Sequence, residues 1–213
     1  MKHELIKSYL KQGLLILSVG CFLLIVWALK TNRLASFDQS IYTFISQLIS
    51  TSLTPWIRLI TELGGTIGII ILCVVSMLLL FNMKKRVLGL LLVSNVAITA
   101  LINTVLKHFF MRARPIGFRL IAIDGYSFPS GHSMAAVAFY GYLIYLVWHK
   151  VEVKWKRNLI CIVLSIFIIL IMISRIYLGV HYASDVIGGA MLALAILICF
   201  TSATKQYCHG ELK

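Results

Sequence analysis

VLGLLLVSNVAITALINTVLKHFFMRARP, from Val87 to Pro115, carries no charged side chain as far as Leu106 and then sets Lys107, His108, Arg112 and Arg114 ahead of a proline. The apolar part matches the ~17 to 25 residues that a helix needs to cross a hydrocarbon core. The polar part is one such a helix should not carry unless it emerges into water or meets an anion. Apolar runs of the same kind recur at Gly13 to Leu29, Thr66 to Phe81, Met134 to Trp148, Leu159 to Ser174 and Asp185 to Thr201.

Composition agrees: 60% of the 213 residues are hydrophobic and 13% charged, with a mean hydropathy of +0.94, outside the range of soluble globular domains. Lipid offers the backbone no hydrogen bonds, so each run must satisfy its own. The sequence therefore predicts an all-α membrane protein of six transmembrane helices, one domain over residues 1–213 without internal repeats or linkers. The first run follows a basic, mixed-charge stretch, lacks an A-x-A cleavage site and is expected to be retained. Between the first two spans, Phe37, Ile41, Phe44, Ile45 and Leu48 recur at helical spacing. After Thr54-Pro55 come Trp56, Leu59, Ile60 and Leu63, so residues 35–63 are expected to form short interfacial helices. Four cysteines fall within the runs and Cys208 in the tail, without a C-x-x-C pair; they read as small apolar fillers.

Charge orients the bundle. Lys2, Lys7, Lys11, Lys84, Lys85, Arg86, Lys150, Lys154, Lys156, Arg157, Lys205 and Lys213 lie at the N-terminus, the second and fourth connections and the tail. The positive-inside rule makes these segments and both termini cytoplasmic. That rim, facing anionic lipid, explains most of the net charge of +13 without a nucleic-acid partner. The remaining cations fall on the extracytoplasmic side or at span ends. Lys107 and Arg114, seven apart, face the same way if their helix continues to Pro115, and Arg175 adds a third positive charge. Like charges so grouped need an anion between them.

His181 and Asp185 stand four apart, which on a helix is one face. The carboxylate can take the Nδ1 proton and leave Nε2 as a nucleophile or base. In YSFPSGHSMAAV, Ser130 suits an N-cap and Gly131 lets backbone approach closely, so free N–H groups point at an anion site beside His132. His132, His181 and Asp185 are acceptable metal ligands, but Lys107, Arg114 and Arg175 would repel a cation. Cations, a helix N-terminus, two imidazoles and a carboxylate form an inventory for phosphoryl transfer without a cofactor. Arg112 and Arg119 read as loop or interface residues, His108 as pointing away, and His3, His149 and His209 as lying on the cytoplasmic side.

Three stretches carry a resemblance: Lys107-HFFMRA-Arg114-Pro115, Pro129-Ser130-Gly131-His132 and Ser174-Arg175-IYLGV-His181-YAS-Asp185. In this order they resemble the three signatures of the type 2 phosphatidate phosphatase superfamily, and all are complete. The resemblance implies attack on phosphorus by His181, with Asp185 fixing its tautomer, His132 as acid and then base, and Lys107, Arg114, Ser130, Gly131 and Arg175 holding the phosphoryl oxygens. It implies a lipid phosphate substrate at the outer membrane surface, equally a phosphomonoester (phosphatidylglycerophosphate, phosphatidate) or undecaprenyl diphosphate. A lipid phosphotransferase and a non-catalytic lipid-phosphate binder remain as alternatives; a vanadium haloperoxidase is disfavoured by the six runs.

Overall fold

A computed structural model describes residues 2–117 and 119–208. Of the residues invoked above, His209 and Lys213 lie outside the described residues, as do the side chains of Lys2, His3, Lys7 and Cys208. The described residues form helices and their connections: α1 (Lys2–Lys30), α2 (Ala35–Ser46), α3 (Thr54–Glu62), α4 (Thr66–Asn82), α5 (Arg86–Phe110), α6 (Gly131–Lys150), α7 (Lys154–Tyr177), α8 (Ala183–Ala203) and α9 (Lys205–Cys208).

All six apolar runs are helical, but they are not equally suited to lipid. By length and composition α5, α7, α8 and the Ser8–Lys30 part of α1 can each cross a membrane, and α3 with α4, bent by 51°, makes a fifth candidate. Helix α6 does not join them. It packs on α5, α7 and α8, and Ala136, Ala138, Phe139 and Tyr142 have almost no exposed surface. Enclosed by other helices, α6 can carry small residues and tyrosines where a lipid-facing helix needs aliphatic ones. Leu17, Leu24, Ile67, Ile71, Leu78, Leu101, Val105 and Ile162, by contrast, are all more than half exposed on the outside. In water such a surface would drive aggregation; against lipid it costs nothing.

The two short helices between α1 and α4 are present, with a different register in one. Ile45 and Ile57 are buried in a cluster with Tyr177, Leu178 and Val180, where α2 and α3 cover the junction of α7 with α8. On α3 it is Ile57 and Thr61 that face inward, while Trp56 and Leu59 are exposed. Apolar spacing marks two faces of α3, and a polar residue on the inner one, Thr61, disguised which was buried.

Helix α5 ends sooner than the sequence suggested. Met111 adopts the left-handed conformation, φ 45 and ψ 32, and its N–H bonds the Lys107 carbonyl at 2.9 Å. Arg114 therefore sits in the following loop. At the other junction, α8 begins at Ala183 with Tyr182 as N-cap, so His181 precedes the helix instead of sharing its face with Asp185.

Candidate active site

The segment 111–130 connects α5 to α6 and supplies the site's floor. Ser130 caps α6 as expected: its Oγ accepts from the Ser133 N–H at 3.4 Å and from the Ser133 hydroxyl at 2.9 Å. A cap of this kind contributes about 1 kcal/mol. The Ser130 N–H in turn donates to the Asp185 carbonyl at 3.1 Å, which pins α6 against α8. That approach depends on Gly189, where a Cβ would fall 2.9 Å from the Ser130 carbonyl oxygen. Asn103 on α5 donates to the Pro129 carbonyl at 3.0 Å and closes the third side; a Cβ on Gly131 would lie 3.1 Å from its Oδ1.

His181 is fully enclosed, and its neighbours define its tautomer. Arg114 Nη1, which can only donate, lies 3.1 Å from Nε2. Nε2 therefore accepts and the proton is on Nδ1. Nδ1 faces the Ser127 Oγ at 3.3 Å and the Asp185 Oδ2 at 3.5 Å, while the Ser127 hydroxyl itself donates to that Oδ2. The carboxylate thus acts on the imidazole partly through a serine that the sequence did not mark. Burial lowers His181 to about 4, with Asp185 opposing and Arg114 and Arg175 reinforcing the shift, so the imidazole is neutral and nucleophilic near neutral pH.

Arg114 is anchored by its own loop, donating from Nε to the Gly125 carbonyl at 3.0 Å and from Nη1 to the Val180 carbonyl at 2.9 Å. Lys107 donates to the Tyr126 carbonyl at 2.6 Å. Arg175 is 1% exposed and gives Nη1 to the Thr61 hydroxyl at 2.6 Å, while its Nε and Nη2 have no hydrogen-bond partner among the described residues. Two buried, charged donors left open are costly unless a ligand fills them. His132, half-buried, lies within electrostatic reach of Arg175, Arg114, Lys107 and His181.

A cavity of about 650 Å³ joins Lys107, Arg114, His132 and His181 to the lipid-facing helices. Lys107, Arg114, Gly131, His132 and His181 line one part; Ile70, Val74 and Met77 of α4 and Val93, Val96 and Ala100 of α5 line the rest.

Sequence reasoning passed over the most heavily bonded cation. Arg112, read above as a loop or interface residue, binds Asp185 Oδ1 at 2.6 Å and Asp38 Oδ2 at 2.8 Å and covers the Tyr182 ring at 4.1 Å. Asp38, on α2, is 4% exposed; removing Arg112 would leave its buried charge without a cationic partner, which is costly. The available signal was Asp38 itself, one of only seven acidic residues, set within an apolar stripe. Arg119 does fold on its own loop, donating to the Pro115 and Ile123 carbonyls, and His108 is exposed and bonded to Thr104.

An apolar helical bundle with clustered cations and paired imidazoles at one end defines a class, the membrane phosphatases. The PAP2 superfamily profile matches residues 88–207, and the chain belongs to that family. It is 34% identical over 180 residues, 82% of this chain and 87% of the relative, to phosphatidylglycerophosphatase B of Bacillus subtilis. It is 32% identical over 104 residues, 46% of this chain and 48% of the relative, to the putative undecaprenyl-diphosphatase YbjG of Escherichia coli. The crystal structure of a transmembrane PAP2 type phosphatidylglycerolphosphate phosphatase from Bacillus subtilis superposes with a TM-score of 0.79 at 29% identity, covering 89% of this chain and 96% of that one. The protein is a multi-pass membrane enzyme that hydrolyses phosphoric esters.

Proposed function

We propose that the substrate is a membrane lipid phosphate and that hydrolysis passes through a phosphohistidine on His181. The observation that carries this reading is the cavity, which has cations and imidazoles at one end and the apolar walls of α4 and α5 at the other. A phosphorylated head group fits the first part and its acyl or isoprenoid tail the second.

In the first step His181 Nε2 bonds to phosphorus as the P–O bond to the alcohol breaks, and His132 gives a proton to the departing oxygen. Arg114 transfers its Nη1 hydrogen bond from Nε2 to the phosphoryl oxygens as they arrive. Arg175 offers its open Nε–H and Nη2–H groups, and Lys107, the Ser130 hydroxyl and the Gly131 N–H supply the remaining donors. In the second step His132 takes a proton from water, whose oxygen bonds to phosphorus as the P–N bond breaks, releasing phosphate. Asp185 holds the Nδ1 proton and balances the imidazolium-like charge of the intermediate. Protein cations neutralise the transition state, so activity is expected without a divalent metal.

The six runs then serve as six spans in one domain. Lys11 of α1, His149 of α6 and Lys205 following α8 border one cavity, at the end of the bundle away from Arg112 and His181. The positive-inside bias puts that end in the cytoplasm and the site outside. Resemblance to phosphatidylglycerophosphatase B across most of the chain favours a glycerophospholipid monoester; resemblance to a putative undecaprenyl-diphosphatase over about half supports an isoprenoid diphosphate as the second choice. Matched lipids in one micelle system test the reading. Phosphatidylglycerophosphate is expected to give the highest kcat/KM, undecaprenyl diphosphate the next, and short water-soluble phosphates the lowest; equal or better kcat/KM on the soluble phosphates overturns the lipid assignment.

A further inference from the structure

Asp185 sits between two groups that compete for it. Its Oδ1 is taken by Arg112, and its Oδ2 by the Ser127 hydroxyl, the Tyr182 N–H at 2.9 Å and, at 3.5 Å, His181 Nδ1. Arg112 is itself shared. Its Nη1 also donates to the Ser184 hydroxyl at 2.8 Å, and its Nη2 binds Asp38, whose carboxylate accepts the Ser184 N–H and hydroxyl, each at 2.8 Å. One guanidinium thus joins α2, the α5–α6 connection and the start of α8.

The charge balance explains the arrangement. Without Arg112, the Asp185 carboxylate would lose its cationic partner and turn more of its charge toward His181. With both carboxylates on Arg112, the cation is committed to them, unlike Arg175, whose open donors await an anion.

We propose that Arg112, held by Asp38, is a positioning residue that sets the orientation and effective charge of Asp185 and, through it, the reactivity of His181. The inference rests on His181 being the nucleophile. The groups acting on His181 are Asp185 from α8, Arg114 from the connection and Arg175 from α7, with His132 of α6 coupled to it; Lys107, Glu62 and Asp124 act one step removed, Lys107 on Asp185, Glu62 on Arg175 and Asp124 on Arg114. Among these, Asp185 is the one that holds the Nδ1 proton, and Arg112 moderates it.

The test is the pH profile of kcat/KM for variants, each divided by wild type on the same lipid so that ionisation of the substrate cancels. R112Q leaves Asp185 unbalanced, strengthens its hold on a protonated His181 and is expected to lower kcat about tenfold, to change KM less than threefold, and to move the acid limb to higher pH. Adding D38N to R112Q removes a second negative charge and moves the limb back. R112K keeps the charge but loses the fork, lowering kcat while leaving the limb near its wild-type position. A uniform loss at every pH in R112Q assigns Arg112 a structural role only and overturns the proposal, as does wild-type kcat. If R112Q does not elute as folded protein, R112K and D38N decide: kcat above half of wild type in both overturns it. Wild-type activity in H181A would instead overturn the underlying nucleophile, whereas an inactive H181A with unaffected Arg112 and Asp38 variants would overturn this inference alone.

Discussion

Two arginines at the same end of the bundle, Arg112 part-buried and Arg175 buried, have opposite surroundings. Arg112 faces two carboxylates within 2.8 Å, and Arg175 has a single hydroxyl partner and two open donor nitrogens. The first is neutralised by two carboxylates of the protein. The second keeps two donor nitrogens open, and its desolvation, opposed in part by the charge of Glu62, is offset further when something negative arrives. Burial of a cation does not by itself make it a candidate phosphate ligand; donors left without a protein partner do.

The largest expected effect removes the proposed nucleophile itself. His181→Ala is expected to abolish phosphoryl transfer, a loss on the order of 10⁴ or more by comparison with triad deletions, together with any phosphoenzyme trapped by acid quench from labelled substrate. Residual phosphoenzyme at wild-type level would place the nucleophile elsewhere. Next, Arg175→Ala should lower kcat by on the order of 10² to 10³, the cost of one transition-state donor, and weaken inhibition by vanadate in proportion. Were vanadate inhibition unchanged, the open nitrogens would not face the phosphoryl group, and the contrast with Arg112 would collapse.

The smallest effect is on stability. His181 in the folded protein is held at about 4 by burial, below its ordinary value of about 6.5 in an unfolded chain. Between these values the unfolded chain binds a proton that the folded one refuses. Stability tied to this group is present above about pH 6.5 and lost as pH falls toward 4. The melting temperature in detergent is therefore expected to fall further between pH 7 and pH 5 in wild type than in His181→Asn, at about 2–4 °C per kcal/mol for a chain of this length. Parallel drops in the two proteins would mean that His181 is solvated.

The helices at Thr66 to Phe81 and Met134 to Trp148 illustrate how far local pattern reaches. Both were legible as apolar runs, yet α6 is enclosed by protein and α4 meets α3 at a 51° bend, arrangements that neighbours decide. Lys107, Arg114, His132 and His181 were picked out by residue type and spacing, and the structure brings all four to one cavity. The route differs from the one expected, because Met111 ends α5 before Arg114 and His181 precedes α8. Helical spacing gave the right company for the wrong geometric reason.

The sequence by itself determined that this chain folds as helices in lipid and that cations and imidazoles gather at the ends of four of its apolar runs, because backbone hydrogen bonding in a membrane and the cost of a charge there are local constraints. Only the tertiary structure decided what each charge does. Arg112 and Arg114 are two residues apart in a loop, yet one binds carboxylates and the other His181. Asp38 reaches Arg112 across 74 positions and Ser184 across 146. A cation's role depends on the sum of charges within a few ångströms, and over such separations in sequence that sum exists only once α2, α5 and α8 have packed together.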